Sequence, residues 1–133
     1  MARECILEFP GGPKRVDTKR DKFVIKTDSP VESGGEGLFA SPGATFLAGL
    51  GACTASTGRT YCRNHNLPIP KQVRMLVHSN EEGEVENIEF DFIMPADFPE
   101  DHFDALLRAA GLCDVKKMWK HFPEFASKAR HED

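Results

Sequence analysis

A chain of 133 residues and 14.8 kDa has room for one domain, or for two small lobes sharing a core. With 40% hydrophobic and 29% charged residues it is neither disordered nor fibrous in composition. A net charge of −4, with one Trp and one Tyr, argues against a partner bound through a phosphate backbone, so nucleic acid is disfavoured.

Taken in chain order, residues 4–9 alternate, with Cys5, Leu7 and Phe9 on one face, which predicts a first strand. Pro10-Gly-Gly-Pro13 is a turn. Two more strands are expected over 14–18 and 22–28, joined by the charged turn around Lys19-Arg20-Asp21. Residues 29–41 are rich in Pro, Gly and Ser. Their centre, Ser33-Gly-Gly-Glu-Gly37, raises the question of a phosphate cradle, but no Gly-Lys-Ser/Thr follows and it reads as a flexible loop.

Ser41-Pro42 is a helix start, with a hydroxyl to cap free amides and Pro at the first helical position. The helix runs to about Asn64, with Phe46, Leu50, Cys53, Thr57 and Tyr61 on one stripe. Gly49, Gly51 and Gly58 each cost about 1 kcal/mol of helix propensity, which predicts an enclosed helix with other backbones pressed close. Asn66-Leu-Pro-Ile-Pro70 ends it. Residues 72–79 and 85–93 form an antiparallel hairpin, with Val73, Met75 and Val77 facing inward on one arm and Ile88, Phe90 and Phe92 on the other. After Pro95 and Pro99, Phe103, Leu106, Leu107, Ala110 and Cys113 recur at helical spacing. The segment 114–133 reads as helical with a frayed end. The order βββ–α–ββ–α–(α) is an α+β arrangement. The expected organisation is a single domain over 1–133, with a three-stranded lobe at about 1–30 and a helix-hairpin-helix lobe at about 41–120.

Acidic residues near the start do not fit a secretory signal, and Gly37–Gly58, although free of charged residues, is too rich in small and polar residues to span a bilayer. A cytoplasmic protein is expected, in a reducing compartment where a paired cysteine is more often reactive than structural. The four cysteines are Cys5, Cys53, Cys62 and Cys113. Cys53 and Cys113 each fall on an apolar stripe of a predicted helix. Their spacing is compatible with two buried small hydrophobes or with a redox pair. Cys62 reads as core, about 13.5 Å of helix rise beyond Cys53, and Cys5 as a strand residue. Cys62 with His65 lacks further partners at metal-ligand spacing, so no metal or cofactor is expected. His78, His102, His121 and His131 read as solvated.

The words around the two cysteines shift the balance toward the redox pair. Ser41-Pro-Gly-Ala-Thr-Phe-Leu-Ala-Gly-Leu-Gly-Ala-Cys53 closely resembles the signature of the OsmC/Ohr family of small bacterial thiol peroxidases. Leu106-Leu-Arg-Ala-Ala-Gly-Leu-Cys113-Asp-Val115 is similar to that family's second signature. Asn87-Ile-Glu-Phe-Asp-Phe-Ile-Met-Pro95 and Thr27-Asp-Ser-Pro30 match its intervening strand and its early Thr-Asp-x-Pro.

The resemblance implies two central helices wrapped by antiparallel sheets in an intertwined homodimer. It implies Cys53 as the peroxidatic cysteine and Cys113 as the resolving one, an organic hydroperoxide as substrate and a lipoyl-type dithiol as reductant. The activating pair of the family is an Arg from the N-terminal hairpin and a Glu near the helix start. Arg15 is the positional match for the first. Gly43 and Ala44 stand where the Glu is expected, leaving Glu36 in the glycine loop as the candidate. Asp114 replaces the family's Pro, and a carboxylate beside Cys113 is expected to raise its pKa. The alternative is a protein of this fold that binds a small apolar ligand or senses redox state without peroxidase turnover.

Overall fold

The structure, a computed structural model, describes residues 3–132. The chain divides into two compact units at Gly49/Leu50.

In the first unit, β1 (Ile6–Glu8), β2 (Val16–Arg20) and β3 (Phe23–Thr27) form an antiparallel sheet in the order β1-β2-β3. Leu7 pairs with Thr18, and Thr18 with Ile25. The predicted turn tightens to Asp21-Lys22, because β2 runs on through Arg20 and Asp21 accepts a positive φ of 53°, which a short polar side chain tolerates. Cys5 lies just before β1 and is exposed, not a strand residue. Alternation predicts one covered face, yet Phe23 (62%), Val24 (48%) and Ile25 (48%) are consecutive and all exposed.

Helix α1 spans Pro42–Asn64. Ser41 caps it as its sequence requires, with Oγ accepting the Ala44 amide at 3.2 Å. At the other end Asn66 adopts a positive φ of 55°. The Leu67 amide reaches back to the Cys62 carbonyl at 2.8 Å and the Asn66 amide to Arg63 at 3.2 Å. That is a Schellman termination with Asn in place of Gly, and Leu67 packs on the Cys62 cluster as such an ending favours.

The second unit holds most of α1 and an antiparallel hairpin of β4 (Gln72–Ser79) and β5 (Val85–Ile93). Val73 pairs with Phe92, Met75 with Phe90 and Val77 with Ile88, so the apolar residues of both arms share one face. At its tip the Asn80 side-chain oxygen accepts the amides of Glu82 and Glu84 at 3.0 and 2.9 Å. A 3-10 turn (Glu100–His102) leads into α2 (Phe103–Ala110), and α3 (Asp114–Met118) follows. Past Met118 no regular element forms among the described residues, so the helical reading of 114–133 holds for five residues only. The core is Cys62, Phe98 and Leu106, with Tyr61, Leu67, Phe92 and Met94 against it.

Among the described residues α1 is buried along one stripe. Its buried residues are Thr54, Gly58 and Cys62, one stripe at i, i+4, i+8. The helical glycines meet side chains rather than backbones. A Cβ on Gly51 would touch the Met75 sulfur at 3.0 Å, one on Gly58 would enter the Phe92 ring, and one on Gly49 would meet nothing within 4 Å. Gly58 is therefore the position where a side chain cannot be added without moving an aromatic ring of the core. Gly58→Ala is expected to destabilise the protein by about 1–3 kcal/mol despite its better helix propensity, as read from urea denaturation midpoints.

Candidate active site

Sequence spacing put Cys113 on the stripe of α2, but that helix ends at Ala110. The Gly111 amide returns to Leu107 and the Leu112 amide to Ala109, closing the helix, and Cys113 emerges in extended conformation at φ −68°, ψ 149°. This turn aims its sulfur at α1. Cys113 is 1% exposed and so is Thr54, whose Oγ1 lies 3.6 Å from Cys113 Sγ. The thiol of Cys53, which is half-buried, is among the groups that act on the Cys113 sulfur. All four cysteines are free thiols.

Burial alone pushes the Cys113 thiol up. The Lys116 amide, the Thr54 hydroxyl, the Cys53 thiol and the charge of Lys116 outweigh it and hold the thiol below its ordinary value. The expected rise from Asp114 is thus overturned. Donors from α1 and α3 converge on the sulfur and set the direction. Cys62 goes the other way. Burial raises it, outweighing its own backbone hydrogen bond, so it is a core thiol. Two neighbouring thiols, one partly accessible and one buried among donors, are a pair that oxidation can join and reduction can separate.

Arg15 and Glu36 belong to the other unit. Arg15 precedes β2, its guanidinium lies 5.2 Å from the centre of the Phe39 ring, and its Nε is buried with no hydrogen-bond partner among the described residues. A Cβ on Gly12 would meet both the Glu36 carboxylate and the Arg15 side chain, so the two residues flank one glycine.

Elsewhere in the second unit, His102 is half-buried rather than solvated, with Nδ1 2.7 Å from the Tyr61 hydroxyl. His65 stacks on Tyr61 at 4.2 Å between ring centroids. Among the described residues no three His, Cys, Asp or Glu side chains could together hold a metal ion, and no helix is long and apolar enough to cross a membrane. A cleft of about 290 Å³ opens between α1 and the start of β4, but neither Cys53 nor Cys113 lines it.

Residues 34–128 match the family of OsmC-like proteins. The chain belongs to that family. No curated protein matches it. Among solved structures it is similar to a Psychrobacter arcticus 273-4 protein described for osmotic stress induction and detoxification response. That likeness has 17% identity and a TM-score of 0.67, covering 86% of this chain and 85% of the other. It is also similar to a Legionella pneumophila protein described as an organic hydroperoxide resistance protein OsmC, a predicted redox protein and regulator of sulfide bond formation. There the identity is 20% and the TM-score 0.56, with 90% and 91% covered. At these identities the likeness is one of fold, and it includes the α+β order of helices and antiparallel sheets.

In this OsmC-like chain the Thr27-Asp-Ser-Pro30 motif has a physical task that its spacing did not reveal. Asp28 is fully buried, and its carboxylate accepts the amides of Ser29 (2.8 Å), Glu36 (3.4 Å) and Leu38 (3.1 Å). The Asp28 amide donates to Ala40 at 3.1 Å, so the glycine loop is tied at both ends instead of hanging free. Gly35 is needed in that knot because a Cβ there would strike the Ser29 carbonyl. Burial pushes the Asp28 carboxyl up, but the Leu38, Ser29 and Glu36 amides and the charge of Arg15 prevail and lower it. A lowered folded-state pKa contributes stability that is complete above the ordinary carboxylate value and is lost as pH falls through the lowered one. Asp28→Asn is therefore expected to melt below wild type at neutral pH, with the gap in Tm closing progressively in acid below the ordinary carboxylate range.

Proposed function

We propose that this OsmC-like protein is a thiol-dependent peroxidase that reduces organic hydroperoxides. The observation that carries the reading is a buried thiol, Cys113, 3.6 Å from the hydroxyl of Thr54, the residue next to the more accessible Cys53 on α1, with the Cys53 thiol among the groups that act on it. A peroxide must reach the sulfur it oxidises, so the half-buried Cys53 takes the first role. Its thiolate attacks the O–O bond, sulfur gains the hydroxyl oxygen as a sulfenic acid, and the peroxide leaves as the alcohol after taking a proton. Cys113 then displaces the sulfenic oxygen as water, giving a Cys53–Cys113 disulfide, which a lipoyl-type dithiol reduces. A reducing cytoplasm belongs to the same reading.

The reading gives Arg15 the charge that favours the thiolate and Glu36 the carboxylate that orients it, as positional matches to the family's pair. Their placement about one glycine and the unpartnered Arg15 Nε support it. A homodimer belongs to the same reading. The apolar residues left exposed in β1 and β3 amount to a sheet in need of a cover, and a second copy supplies one. A solution mass of twice 14.8 kDa checks that part.

The test is consumption of an organic hydroperoxide in the presence of dihydrolipoamide. Wild type is expected to turn over continuously and Cys53→Ser to lose activity entirely. Cys113→Ser is expected to undergo one oxidation per chain and then stop. No consumption by a folded wild type would count against the enzyme.

A further inference from the structure

Thr54 follows Cys53 in the chain and faces two acceptors with one hydrogen. Its Oγ1 lies 3.0 Å from the Leu50 carbonyl and 3.6 Å from Cys113 Sγ. A hydroxyl donates a single proton and accepts through two lone pairs, so Thr54 can donate to one of these groups at a time. While Cys113 is a thiol, its S–H can donate to Oγ1 and the hydroxyl stays on Leu50. Once Cys113 has lost its proton, the sulfur has nothing to give. It is 1% exposed, and a buried charge without donors is costly. Turning the Thr54 O–H toward the sulfur supplies a donor with no movement of heavy atoms. The Leu50 carbonyl loses little, because the Thr54 amide already serves it within α1. In the rotamer that bonds the i−4 carbonyl, one of the two open to a helical Thr, the hydroxyl is in reach of both acceptors.

We propose that Thr54 is the positioning residue for the second sulfur, its hydroxyl turning from the Leu50 carbonyl to Cys113 Sγ and holding that sulfur ready to attack oxidised Cys53. The inference rests on the reading of Cys53 and Cys113 as the redox pair. In the closing step the Cys113 sulfur attacks the sulfenic sulfur of Cys53, an S–S bond forms and the S–O bond breaks. The departing hydroxide takes the proton given up by Cys113 and leaves as water. Thr54 lends a hydrogen bond and keeps its own proton. The titratable groups acting on the sulfur are Cys53 from α1 and Lys116 from α3. The Lys116 ammonium also lies over the Phe90 ring, 4.9 Å from its centre.

Thr54→Val keeps the shape of the side chain and removes its hydrogen, and Thr54→Ser keeps the hydrogen and removes a methyl group. Thiolate absorbance is titrated in a Cys5→Ser, Cys53→Ser background, which leaves Cys62 and Cys113 as the absorbing thiols. Thr54→Val is expected to move the lower step to higher pH and Thr54→Ser to leave it in place. With both redox cysteines present, one equivalent of cumene hydroperoxide is followed by trapping of sulfenic acid with dimedone. There Thr54→Val is expected to slow disulfide closure about tenfold, the scale of a lost hydrogen bond to a charged acceptor, and to leave the rate of the first oxidation unchanged. If Thr54→Val does not fold, Thr54→Ala carries the same expectation. A lower step unmoved in the hydroxyl-free variant, or moved equally by Thr54→Ser, overturns the proposal. The titration needs no peroxide, so a failure of the peroxidase reading shows separately, as absent oxidation in a protein whose thiols titrate as expected.

Discussion

A thiol buried in protein loses its proton only where donors replace the water it has given up. That constraint organises the second unit. Cys113 is sealed from solvent, and what makes its sulfur usable is the convergence of a hydroxyl and a thiol from α1 with an amide and an ammonium from α3. The contrast with Cys62 makes the point within one molecule, since it is equally buried, faces apolar neighbours and is pushed away from ionisation. The same residue type behaves as core in one place and as latent nucleophile in another. The difference lies in what surrounds the sulfur.

Much of the local structure was legible in the sequence because short-range physics determines it. The limits of α1 follow from Ser41-Pro42 at one end and the Asn66 ending at the other, and the β4–β5 hairpin follows from alternation with a Gly-bearing tip. Legibility failed where a contact over long sequence distance decides. Cys113 continued the periodicity of α2, yet the helix closes at Gly111, and the turn, not the stripe, directs the sulfur. Gly51 and Gly58 of α1 make room not for other backbones but for the Met75 and Phe92 side chains.

Of the candidate site, the two cysteines and the family could be read directly, through words that the OsmC-like match over residues 34–128 supports. The groups that tune them could not. Thr54 looked like one more polar residue in a helix, and its place on a buried stripe with Gly58 and Cys62 was the only signal. Asp28 sat inside a recognised motif whose purpose is visible only once three amides are seen to point at one carboxylate. A short acid before a glycine-rich loop is the clue its sequence offers. The partnership of His102 with Tyr61 joins residues far apart in sequence, so no local pattern announces it.

The claim beneath the whole account is that the sulfurs of Cys53 and Cys113 are neighbours able to bond. It is tested most directly by treating the reduced protein with one equivalent of an organic hydroperoxide, digesting it without reductant and analysing the peptides by mass spectrometry. The account predicts one dominant cross-linked species joining the peptide that holds Cys53 to the peptide that holds Cys113, two hydrogens lighter than the separate pair and restored by dithiol. Oxidation confined to Cys5, or a disulfide linking any other pair of cysteines, would contradict it.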